Sequence, residues 1–596
     1  MSAAAAILLL SIVAGASPAG REPRALDTAA AFTVKREFGL KTRMIDGTVL
    51  IADVYRPITA KRVPALLVRT PYTRTGLGSY REGQYWASHG YAYVVQDVRG
   101  RGDSEGTFDP LVNEARDGYQ TQSWIARFPW SNGEVGTLGG SYLGWTQVFT
   151  ASLNNPVLRA MIPIATPSDP GGYWPMRHGG ISFGMLEWAM VVQGRTRRDL
   201  PEDEAEYVPE YRTPPLTSVD VRIGARSSIW QDYLANLENE AYWRPRSYQP
   251  QLTRSKVPMF HVTGWYDGTL GGSLENFTAM RTKASVEARA NQYLLVGPWR
   301  HWTDEDARSA TIRGMDFGAE SRVDTHAQYR AWFDHYLKGE ASGVEAWPRV
   351  RLFVLGENHW IGADDWPLPG TRFVPYYLQG GEAGRPATGS MSIDPPATSG
   401  SDRYDYDPSN PTPFLWSRNV DSGGPDDYQT VEARSDVLVY TMESPARPLT
   451  VCGPIKATIV ASSTAKDTDW LARLSLVRTN GYSQRLTEGW VRARARHGDF
   501  RNDPLTPGKA ETYQLDLWGT CVTVAPGERL RLSVMSGAFP LLTPNLNTGG
   551  PLGTESRPVI AHQVILHDQA AKSFVTLPIV DQPRRIPMPW PLPGSP

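Results

Sequence analysis

The sequence predicts an α/β layer fold with a mostly parallel sheet, interrupted by a helical insertion and followed by an all-β domain. Three features of the chain support this prediction. Short apolar runs alternate with loop or helical patterns over residues 30–166 and again over residues 254–345. Residues 167–253 between them are rich in Trp, Met, Arg and Pro. From residue 346 to 590 the chain consists of short alternating runs between Gly, Pro and Asp turns, with almost no helical pattern.

The expected strands of the sheet are short apolar segments. They include "VPALLVRTPY", "GYAYVVQDVRG" and "EVGTLGGS", each followed by a loop or by a helical pattern such as "LVNEARDGYQTQSWIARFPW". The segments "LRAMIPIAT", "VPMFHVTGWYDG" and "QYLLVGPWRHW" continue the series. An earlier stretch, "FTVKREFGLKTRMIDGTVLIADVYRP", alternates polar and apolar residues around Asp46-Gly47, which predicts a hairpin.

The insertion interrupts this strand series between Thr166 and Val257. It contains helical patterns such as "SSIWQDYLANLENEAYW", and we expect residues 167–253 to form a helical cap over the carboxyl edge of the sheet. The strand spacing after residue 345 predicts a β-sandwich or jelly roll.

Composition and charge exclude several classes of function. The chain has 61 Lys and Arg against 62 Asp and Glu, so its formal net charge is −1 and nothing favours nucleic acid as a partner. Two cysteines, Cys452 and Cys521, are too few for a disulfide framework or a multi-cysteine metal site. They either pair in an oxidising compartment or remain buried thiols. We expect no metal and no cofactor.

The amino terminus has the features of an export signal. An apolar core occupies residues 3–13, and the small-residue pattern "AGA" at 14–16 predicts cleavage. This core is shorter than the about 20 apolar residues that span a membrane. We therefore expect residues 1–16 to be a signal peptide, the protein to be periplasmic or secreted, and no stable membrane anchor. A homo-oligomer remains open.

Ser141 lies among glycines at a predicted strand-to-helix junction, in "EVGTLGGSYLGWTQVFTASLNNP". Gly139, Gly140 and Gly144 tolerate positive φ or close backbone approach, as a sharp turn requires. Such a turn exposes the hydroxyl and directs the following amides toward the group that it attacks, as in a nucleophile elbow. The last glycine comes one residue later than in G-x-S-x-G, so an ordinary Gly-rich loop is the alternative.

The candidate acid and base that act with Ser141 can be chosen by their position relative to the predicted strands. Ligands of open α/β sheets bind outside the carboxyl ends of the strands, so catalytic side chains should directly follow strands. Of ten histidines, His301 in "YLLVGPWRHW" directly follows a late predicted strand, and Asp267 in "MFHVTGWYDG" ends the preceding one. The order Ser141, Asp267, His301 is the order of nucleophile, acid and base in α/β-hydrolases.

An oxyanion hole is also needed, and no HGGG stretch supplies backbone donors for it. Tyr72 follows the first long apolar strand, where its phenol could donate together with the backbone N–H of Tyr142. Packing is the alternative for a tyrosine at a strand end. Several aromatic residues could line an apolar acyl pocket, although core packing explains any one of them equally well: Trp174, Trp188, Trp265, Tyr266, Trp299 and Trp302.

Five motifs occur in the order found in one hydrolase family: "RTPYTR", "QDVRGRGDSEG", "WSNGEVGTLGGSYLGWTQ", "TGWYDG" and "GPWRHW". Over residues 35–580 the chain resembles the cocaine esterase and X-prolyl dipeptidyl peptidase superfamily (the CocE/NonD hydrolases). The resemblance implies an α/β-hydrolase domain, a helical cap and a jelly roll. By motif it implies nucleophile, acid, base and oxyanion-donor roles for Ser141, Asp267, His301 and Tyr72, respectively. The family's G-x-S-Y-x-G elbow has its last glycine where Gly144 stands.

Two classes of function remain. The first is a serine hydrolase that cleaves small-molecule carboxylic esters or amides through an acyl-enzyme on Ser141. Within this class, an esterase competes with the β-lactam-antibiotic acylases or α-amino acid ester hydrolases and with the X-prolyl dipeptidyl peptidases. The second class is a non-catalytic binding protein. Residues 268–272, after Asp267, include no carboxylate for a substrate ammonium group, so we expect a neutral, apolar or aromatic acyl group.

Overall fold

The structure is a computed structural model that describes residues 32–201, 206–301, 303–380, 388–416 and 423–588. The predicted signal peptide at residues 1–16 lies outside these ranges. Within them, no helix combines the length and the apolar character needed to cross a membrane.

The amino-terminal region alternates strands and helices, as its apolar runs predict. In chain order it contains β1 (Val34–Arg43), β2 (Val49–Pro57), β3 (Val63–Thr70), α1 (Leu77–Ser88), β4 (Ala92–Asp97), α2 (Glu114–Ile125), β5 (Ser131–Gly140), α3 (Tyr142–Ala151) and β6 (Leu158–Ile164). The strands β1 and β2 pair antiparallel on either side of Asp46-Gly47. Every residue of β3 is buried, as expected for a strand covered on both faces.

A long insertion separates β6 from the next strand of the sheet. It contains the short strands β7 (Met176–Arg177) and β8 (Gly180–Ile181) and the helices α4 (Phe183–Val191), α5 (Val219–Arg222), α6 (Ser228–Ala235), α7 (Glu240–Trp243) and α8 (Gln249–Leu252). Phe183, Trp230 and Trp243 belong to a hydrophobic cluster formed mainly by the insertion itself. The insertion is therefore largely helical and has its own small core.

The sheet resumes after the insertion. The elements that follow are β9 (Met259–Gly264), α9 (Leu270–Lys283), α10 (Val286–Ala290), β10 (Gln292–Gly297), α11 (Thr303–Asp306), β11 (Thr311–Ile312), β12 (Met315–Asp316), α12 (Thr325–Lys338), β13 (Val350–Val354) and β14 (His359–Ala363). Ten strands pair in the order β1-β2-β4-β3-β5-β6-β9-β10-β13-β14. The neighbours from β4 through β13 are parallel, whereas β1, β2 and β14 pair antiparallel.

This sheet extends past the domain boundary that the sequence predicted at residue 345. Val350 of β13 pairs with Leu294 of β10, and β14 pairs with β13. Both strands follow the last long helix and resemble the strand-rich tail in pattern. Which sheet they join depends on long-range pairing, which the local pattern does not indicate.

The carboxyl-terminal region consists mostly of strands. Its elements are β15 (Arg372–Gln379), β16 (Thr388–Ser392), β17 (Gly400–Tyr406), α13 (Gln429–Glu432), β18 (Leu438–Met442), β19 (Leu449–Ser463), β20 (Asp469–Val477), β21 (Ser483–Arg492), β22 (Glu511–Val524), β23 (Arg529–Met535), β24 (Ala561–His567) and β25 (Phe574–Ile579). These strands form an eleven-stranded sheet in which β16 and β18 pair parallel. We call this region the β domain.

One disulfide bond lies inside the β domain. Cys452 on β19 and Cys521 on β22 lie opposite each other in the strand register, and both are fully buried. The sequence left paired and free thiols as alternatives, and the structure contains the paired form.

The three regions meet near the carboxyl ends of the parallel strands. Ser182 of the insertion forms a β-bridge with Leu542 of the β domain. Tyr266, which follows β9, accepts a hydrogen bond from Gln484 Nε2 on β21 at 2.8 Å. The β domain therefore contacts both the insertion and the loop that carries Asp267.

Candidate active site

Ser141 lies in the turn between β5 and α3, at the carboxyl end of a central strand. Its backbone has φ 59° and ψ −124°, a combination that non-glycine residues rarely adopt and that costs about 1–3 kcal/mol. The Ser141 N–H donates to the Ile164 carbonyl at 2.9 Å. The N–H groups of Gly144 and Trp145 donate to the Ser141 carbonyl at 2.9 and 3.2 Å. A sharp strand-to-helix turn therefore holds this serine.

At two of the three glycines around the turn there is no room for a Cβ atom. A Cβ on Gly139 would lie 2.6 Å from Leu143 Cβ, and a Cβ on Gly144 would lie 2.0 Å from Thr166 Oγ1. A Cβ on Gly140 would have its nearest contact at 3.5 Å, which is ordinary van der Waals distance. Gly144 thus lets the first turn of α3 approach the segment after β6, and the late position of this glycine has a packing reason.

Asp267 and His301 form a hydrogen-bonded pair on two neighbouring strand-end loops. Asp267 follows β9, His301 follows β10, and His301 Nδ1 lies 2.9 Å from Asp267 Oδ1. Thr263 Oγ1 and the Thr269 N–H donate to the same carboxylate at 2.8 and 2.9 Å. Burial would raise the pKa of Asp267, but the charge and hydrogen bond of His301, together with these donors, lower it overall. The carboxylate therefore stays ionised at neutral pH.

A buried ion pair fixes the loop that carries His301. The N–H and Nε of Arg300 donate to Asp306 Oδ2 at 2.8 and 3.0 Å, and Arg300 Nη2 donates to Oδ1 at 2.8 Å. A bidentate pair of this kind is geometrically specific. It closes the short connection from β10 to α11. Our sequence interpretation missed it, although an Arg beside the candidate base and an Asp six residues later were a usable signal.

Tyr72 lies beside the serine, two residues after the end of β3. Its hydroxyl accepts a hydrogen bond from Trp188 Nε1 at 3.2 Å, and the Ser141 side chain lies close enough to lower the pKa of the phenol. Burial is the largest effect on this phenol and raises the pKa of Tyr72 above its usual 10.0. The hydroxyl is therefore protonated at neutral pH and can donate a hydrogen bond. Tyr72 and Ser141 lie close together, as a role of Tyr72 as oxyanion donor would require.

Tyr142 is the first residue of α3, where backbone N–H groups have no acceptor within the helix. Two hydrogen bonds hold the Tyr142 side chain. Its hydroxyl donates to Glu114 Oε1 at 2.9 Å and accepts from the Leu111 N–H at 3.0 Å. Glu114 also accepts from Arg69 Nη1 at 2.7 Å. These buried contacts fix the amide that follows Ser141, and sequence reasoning missed the role of Glu114.

Trp174 and Trp188 of the insertion lie next to the serine turn. Trp188 stacks on Tyr142 with a centroid distance of 5.5 Å. Trp174 packs edge-on against Trp188 at 5.4 Å and lies 5.1 Å from Trp145. Both indoles are partly exposed. The insertion therefore supplies an aromatic wall beside Ser141, and we use this name for Trp174 and Trp188.

Trp265, Tyr266 and Trp299 lie in the main hydrophobic core instead. Trp265 is 2% exposed and its Nε1 donates to a backbone carbonyl of β13 at 2.7 Å, and Trp299 is fully buried. The prediction that these three residues line an acyl pocket is corrected accordingly. Contacts with β13 and with the β domain bury Trp265 and Tyr266, and these three side chains face protein. Trp302 lies outside the described residues.

A cavity lies between the insertion, the loop after β9 and the β domain. Its walls include Trp174 and Arg177 of the insertion, Gly268 directly after Asp267, and Arg485 and Glu488 of β21. The β-domain residues come more than 200 positions after the catalytic acid in the chain, so no local pattern could have placed them here. We call this space the interdomain cavity.

Two family models match the chain. Residues 46–303 match the model of X-Pro dipeptidyl-peptidase (S15 family). Residues 342–576 match the model of the X-Pro dipeptidyl-peptidase C-terminal non-catalytic domain. The first match contains Ser141 and both residues of the Asp267–His301 pair.

Known proteins resemble the chain over nearly its whole length. The cocaine esterase of Rhodococcus sp. (strain MB1 Bresler) is 33% identical over 576 residues, which cover 90% of this chain and 97% of that protein. An aminopeptidase from a marine sediment archaeon (Thaumarchaeota archaeon) superposes with a TM-score of 0.81 at 25% identity, covering 95% of this chain and 99% of that one. An α-amino acid ester hydrolase has the same TM-score at 24% identity, covering 96% and 100%, and shows likeness in fold. With a 33% identical relative across 90% of its length and both S15 models matched, the chain belongs to the S15 (CocE/NonD) family and is a serine hydrolase.

Proposed function

We propose that this protein is an esterase or amidase that cleaves small-molecule carboxylic esters or amides through an acyl-enzyme on Ser141. The observation that carries the proposal is the hydrogen bond between Asp267 and His301 at 2.9 Å, on the loops after β9 and β10. In the sheet, β6 lies between these two strands and β5, the strand that leads into Ser141. The relative named cocaine esterase supports an ester as substrate.

In acylation, Ser141 Oγ attacks the carbonyl carbon while His301 Nε2 accepts the hydroxyl proton. A serine hydroxyl is a poor nucleophile until an imidazole removes this proton. Asp267 accepts the hydrogen bond from Nδ1–H, which holds the tautomer and stabilises the imidazolium. The imidazolium then protonates the leaving alcohol or amine. In deacylation, water takes the place of the leaving group, and His301 removes its proton in the same way.

Tyr72 and the Tyr142 N–H donate hydrogen bonds to the oxyanion. Both donors lie at the Ser141 turn, and the raised pKa of Tyr72 keeps its proton in place. Removing one donor of this kind costs about 3 kcal/mol of transition-state stabilisation. The hydrogen bond from Trp188 Nε1 orients the Tyr72 hydroxyl.

The preferred acyl group is neutral and apolar or aromatic. The aromatic wall offers indole surface next to Ser141. Glu488, the carboxylate in the interdomain cavity, is bound by Arg485 and Arg473 and is not free for an ammonium group. The acidic stretch at 200–207 lies partly outside the described residues. In this proposal the insertion acts as a cap, and the β domain is a jelly roll.

Export also belongs to this proposal. The amino-terminal pattern at residues 1–16 suggests it, and the buried Cys452–Cys521 disulfide fits an oxidising compartment.

The second candidate activity is that of an X-prolyl dipeptidyl peptidase, which the S15 family model favours by its description. A dipeptidyl peptidase must bind the substrate's amino-terminal ammonium, for which a carboxylate is the expected partner. The test compares p-nitrophenyl phenylacetate with glycyl-prolyl-p-nitroanilide. Turnover of the ester with little or none of the anilide supports the esterase, and the reverse supports the peptidase.

A fluorophosphonate probe separates both enzymes from a non-catalytic binding protein. We expect the wild-type protein to be labelled on Ser141 and the Ser141→Ala variant to remain unlabelled. A wild-type protein that folds but takes no label would contradict the proposal.

A further inference from the structure

Arg177 is a buried cation whose hydrogen bonds go to backbone carbonyls. It lies on β7 of the insertion and is 3% exposed. Its Nη2 donates at 2.7 Å to the carbonyls of Glu488 and Asp516. Its Nε is buried and has no hydrogen-bond acceptor. Among the described residues, no Asp or Glu carboxylate forms an ion pair with this guanidinium.

Two indole rings hold the guanidinium in place. Arg177 Cζ lies 3.7 Å from the ring centroid of Trp518 and 4.3 Å from that of Trp490. Stacking on aromatic rings attracts the cation and leaves its N–H groups available for polar partners. The Arg177 guanidinium is therefore held in a fixed orientation, and no carboxylate of the described residues is bound to it.

The position of Arg177 connects it with the reacting centre. It lines the interdomain cavity together with Gly268, the neighbour of Asp267, and with Trp174 of the aromatic wall. Arg485 lines the same cavity, and its Nη1 is buried without an acceptor. Two guanidinium groups thus have unused donors in a cavity that is also lined by Gly268, the residue after Asp267.

The residues that line this cavity include two arginines, Arg177 and Arg485, and one carboxylate, Glu488. Glu488 Oε1 accepts from Arg485 Nε and Nη2 at 3.1 and 2.9 Å, and Oε2 accepts from Arg473 Nε at 2.7 Å. Glu488 is therefore shared by Arg485 and Arg473. Asp516 and Glu488 attract Arg177 without forming an ion pair with it. Burial lowers the pKa of Arg177 to about 10, despite attraction from Asp516 and Glu488. It remains protonated at neutral pH, and a buried charge without a partner is unfavourable.

We propose that Arg177, assisted by Arg485, binds a free carboxylate of the substrate, so that the preferred substrates are esters or amides that carry one additional carboxylate. This proposal rests on the hydrolase function proposed above and adds a carboxylate to its substrate. A preference in the acyl pair of esters described below would replace the neutral acyl group proposed above, whereas a preference in the leaving-group pair would keep it. The apolar part of the substrate lies on the aromatic wall, and the carboxylate lies further along the cavity. A carboxylate accepts the unused Arg177 donors and supplies the missing negative charge. The same two arginines would repel an ammonium group.

The test uses two matched pairs of esters at pH 7. The first pair places the charge on the leaving group: 4-carboxyphenyl phenylacetate against 4-carbamoylphenyl phenylacetate. The second places it on the acyl group: phenyl (4-carboxyphenyl)acetate against phenyl (4-carbamoylphenyl)acetate. In at least one pair, we expect kcat/KM of the wild-type enzyme to favour the carboxylate by roughly tenfold or more. Equal or lower kcat/KM for the carboxylate in both pairs would overturn the proposal, even if all four esters are hydrolysed.

The Arg177→Met variant assigns the preference to this residue. We expect it to lose the carboxylate preference while kcat/KM for the neutral ester stays within about threefold of the wild-type value. Arg212→Met is the matched control, because Arg212 lies elsewhere on the insertion, with its guanidinium over Phe539. It should keep the preference. A preference that survives in a folded Arg177→Met variant would contradict the assignment.

A binding measurement separates this proposal from the proposed activity. The Ser141→Ala variant should leave the esters intact. Calorimetric titration of this variant with both pairs should show, in at least one pair, that the carboxylate ester binds roughly tenfold more tightly than the amide ester. Tighter binding without wild-type turnover would refute the hydrolase and keep the carboxylate site. Wild-type turnover with equal binding of the two would refute the site and keep the hydrolase. This arm also decides the question if Arg177→Met fails to fold.

Discussion

At the scale of single residues, the proposed mechanism assigns nucleophilic attack to Ser141, proton transfer to His301 and oxyanion stabilisation to Tyr72. The Tyr72 phenol lies close enough to the Ser141 side chain to interact with it. The buried Asp267 carboxylate orients the imidazole from the other side. Each of the three residues therefore has a separate contribution that substitution can isolate.

Replacing the nucleophile should abolish turnover without unfolding the protein. We expect Ser141→Ala to reduce hydrolysis of a p-nitrophenyl ester to background, and His301→Ala to do nearly the same. Because members of a triad act as a unit, the double variant should be little worse than either single one. Initial rates and thermal melting curves measure both properties. A Ser141→Ala protein that keeps more than a few per cent of wild-type activity would rule out this nucleophile.

Replacing the phenol should affect the transition state rather than substrate binding. We expect Tyr72→Phe to lower kcat by about 10²–10³ with little change in KM, as for an oxyanion donor. Tyr80→Phe is a suitable control, since Tyr80 lies on α1 and is 39% exposed. Its kcat should equal that of the wild-type enzyme. An unchanged kcat in Tyr72→Phe would show that the phenol only packs beside the serine.

At the scale of elements, the turn between β5 and α3 determines where the nucleophile lies. The helix α3 begins directly after Ser141 and packs closely on the segment that follows β6. Close approach of a helix and a strand depends on small side chains at the contact. The elbow is therefore a packing feature as well as a backbone turn.

Two neighbouring glycines of this turn should differ in their tolerance to alanine. We expect Gly144→Ala to lower the melting temperature and to reduce activity more than tenfold, because its Cβ would lie 2.0 Å from Thr166 Oγ1 and overpacking costs about 1–3 kcal/mol. Gly140→Ala is the matched control and should melt within about 2 °C of the wild-type protein. Equal melting temperatures for both variants would contradict the packing explanation.

The strands β20 and β21 carry a buried charge network that should make stability depend on pH. Burial opposes ionisation of Glu488, yet Arg485 and Arg473 lower its pKa from 4.5 to about 2. The ionised carboxylate therefore stabilises the fold fully above pH 4.5, and this stabilisation is lost as pH falls from about 4.5 to about 2.

Substitution of Glu488 should reveal this dependence. We expect Glu488→Gln to lower the melting temperature at pH 7, where two buried arginines lose their partner. The difference from the wild-type protein should shrink when both are measured at pH 3. The exposed Glu340→Gln control should match the wild-type protein at both values. A difference that stays constant between pH 7 and pH 3 would contradict the assigned pKa.

At the scale of the whole molecule, surfaces from three regions surround the site at which we propose that substrate binds. The aromatic wall comes from the insertion, the reacting groups come from strand ends of the first sheet, and the far side of the interdomain cavity comes from the β domain. The Tyr266–Gln484 hydrogen bond and the Ser182–Leu542 bridge tie these regions together. The pocket therefore forms only when the regions are assembled.

The assembled pocket should disfavour a cationic acyl group. We expect kcat/KM at pH 7 to be at least tenfold higher for a phenylacetyl ester than for the matching phenylglycyl ester, because burying an ammonium without a carboxylate costs several kcal/mol. The two esters differ only by the amino group, so each serves as the control for the other. A preference for the phenylglycyl ester would refute the neutral acyl pocket.

Local sequence patterns were sufficient for the strand series, the insertion and the order of the candidate catalytic residues. A short apolar run, or a run in which apolar and polar residues alternate, predicts a strand because the pattern can be read from neighbouring residues. Glycines around Ser141 specify a sharp turn, since they alone avoid a Cβ at close contacts. The membership of the S15 family, suggested by five motifs, is confirmed by the matching models.

The tertiary structure alone decided which side chains face the site. Trp174 and Trp265 are both tryptophans near strand ends, yet one lies beside the nucleophile and the other lies in the core. The strands β13 and β14 joined the first sheet, and Arg177 came to lie beside residues more than 300 positions later in the chain. Such outcomes depend on contacts between segments that are distant in sequence. A residue's own neighbours along the chain carry no information about which distant surface will cover it.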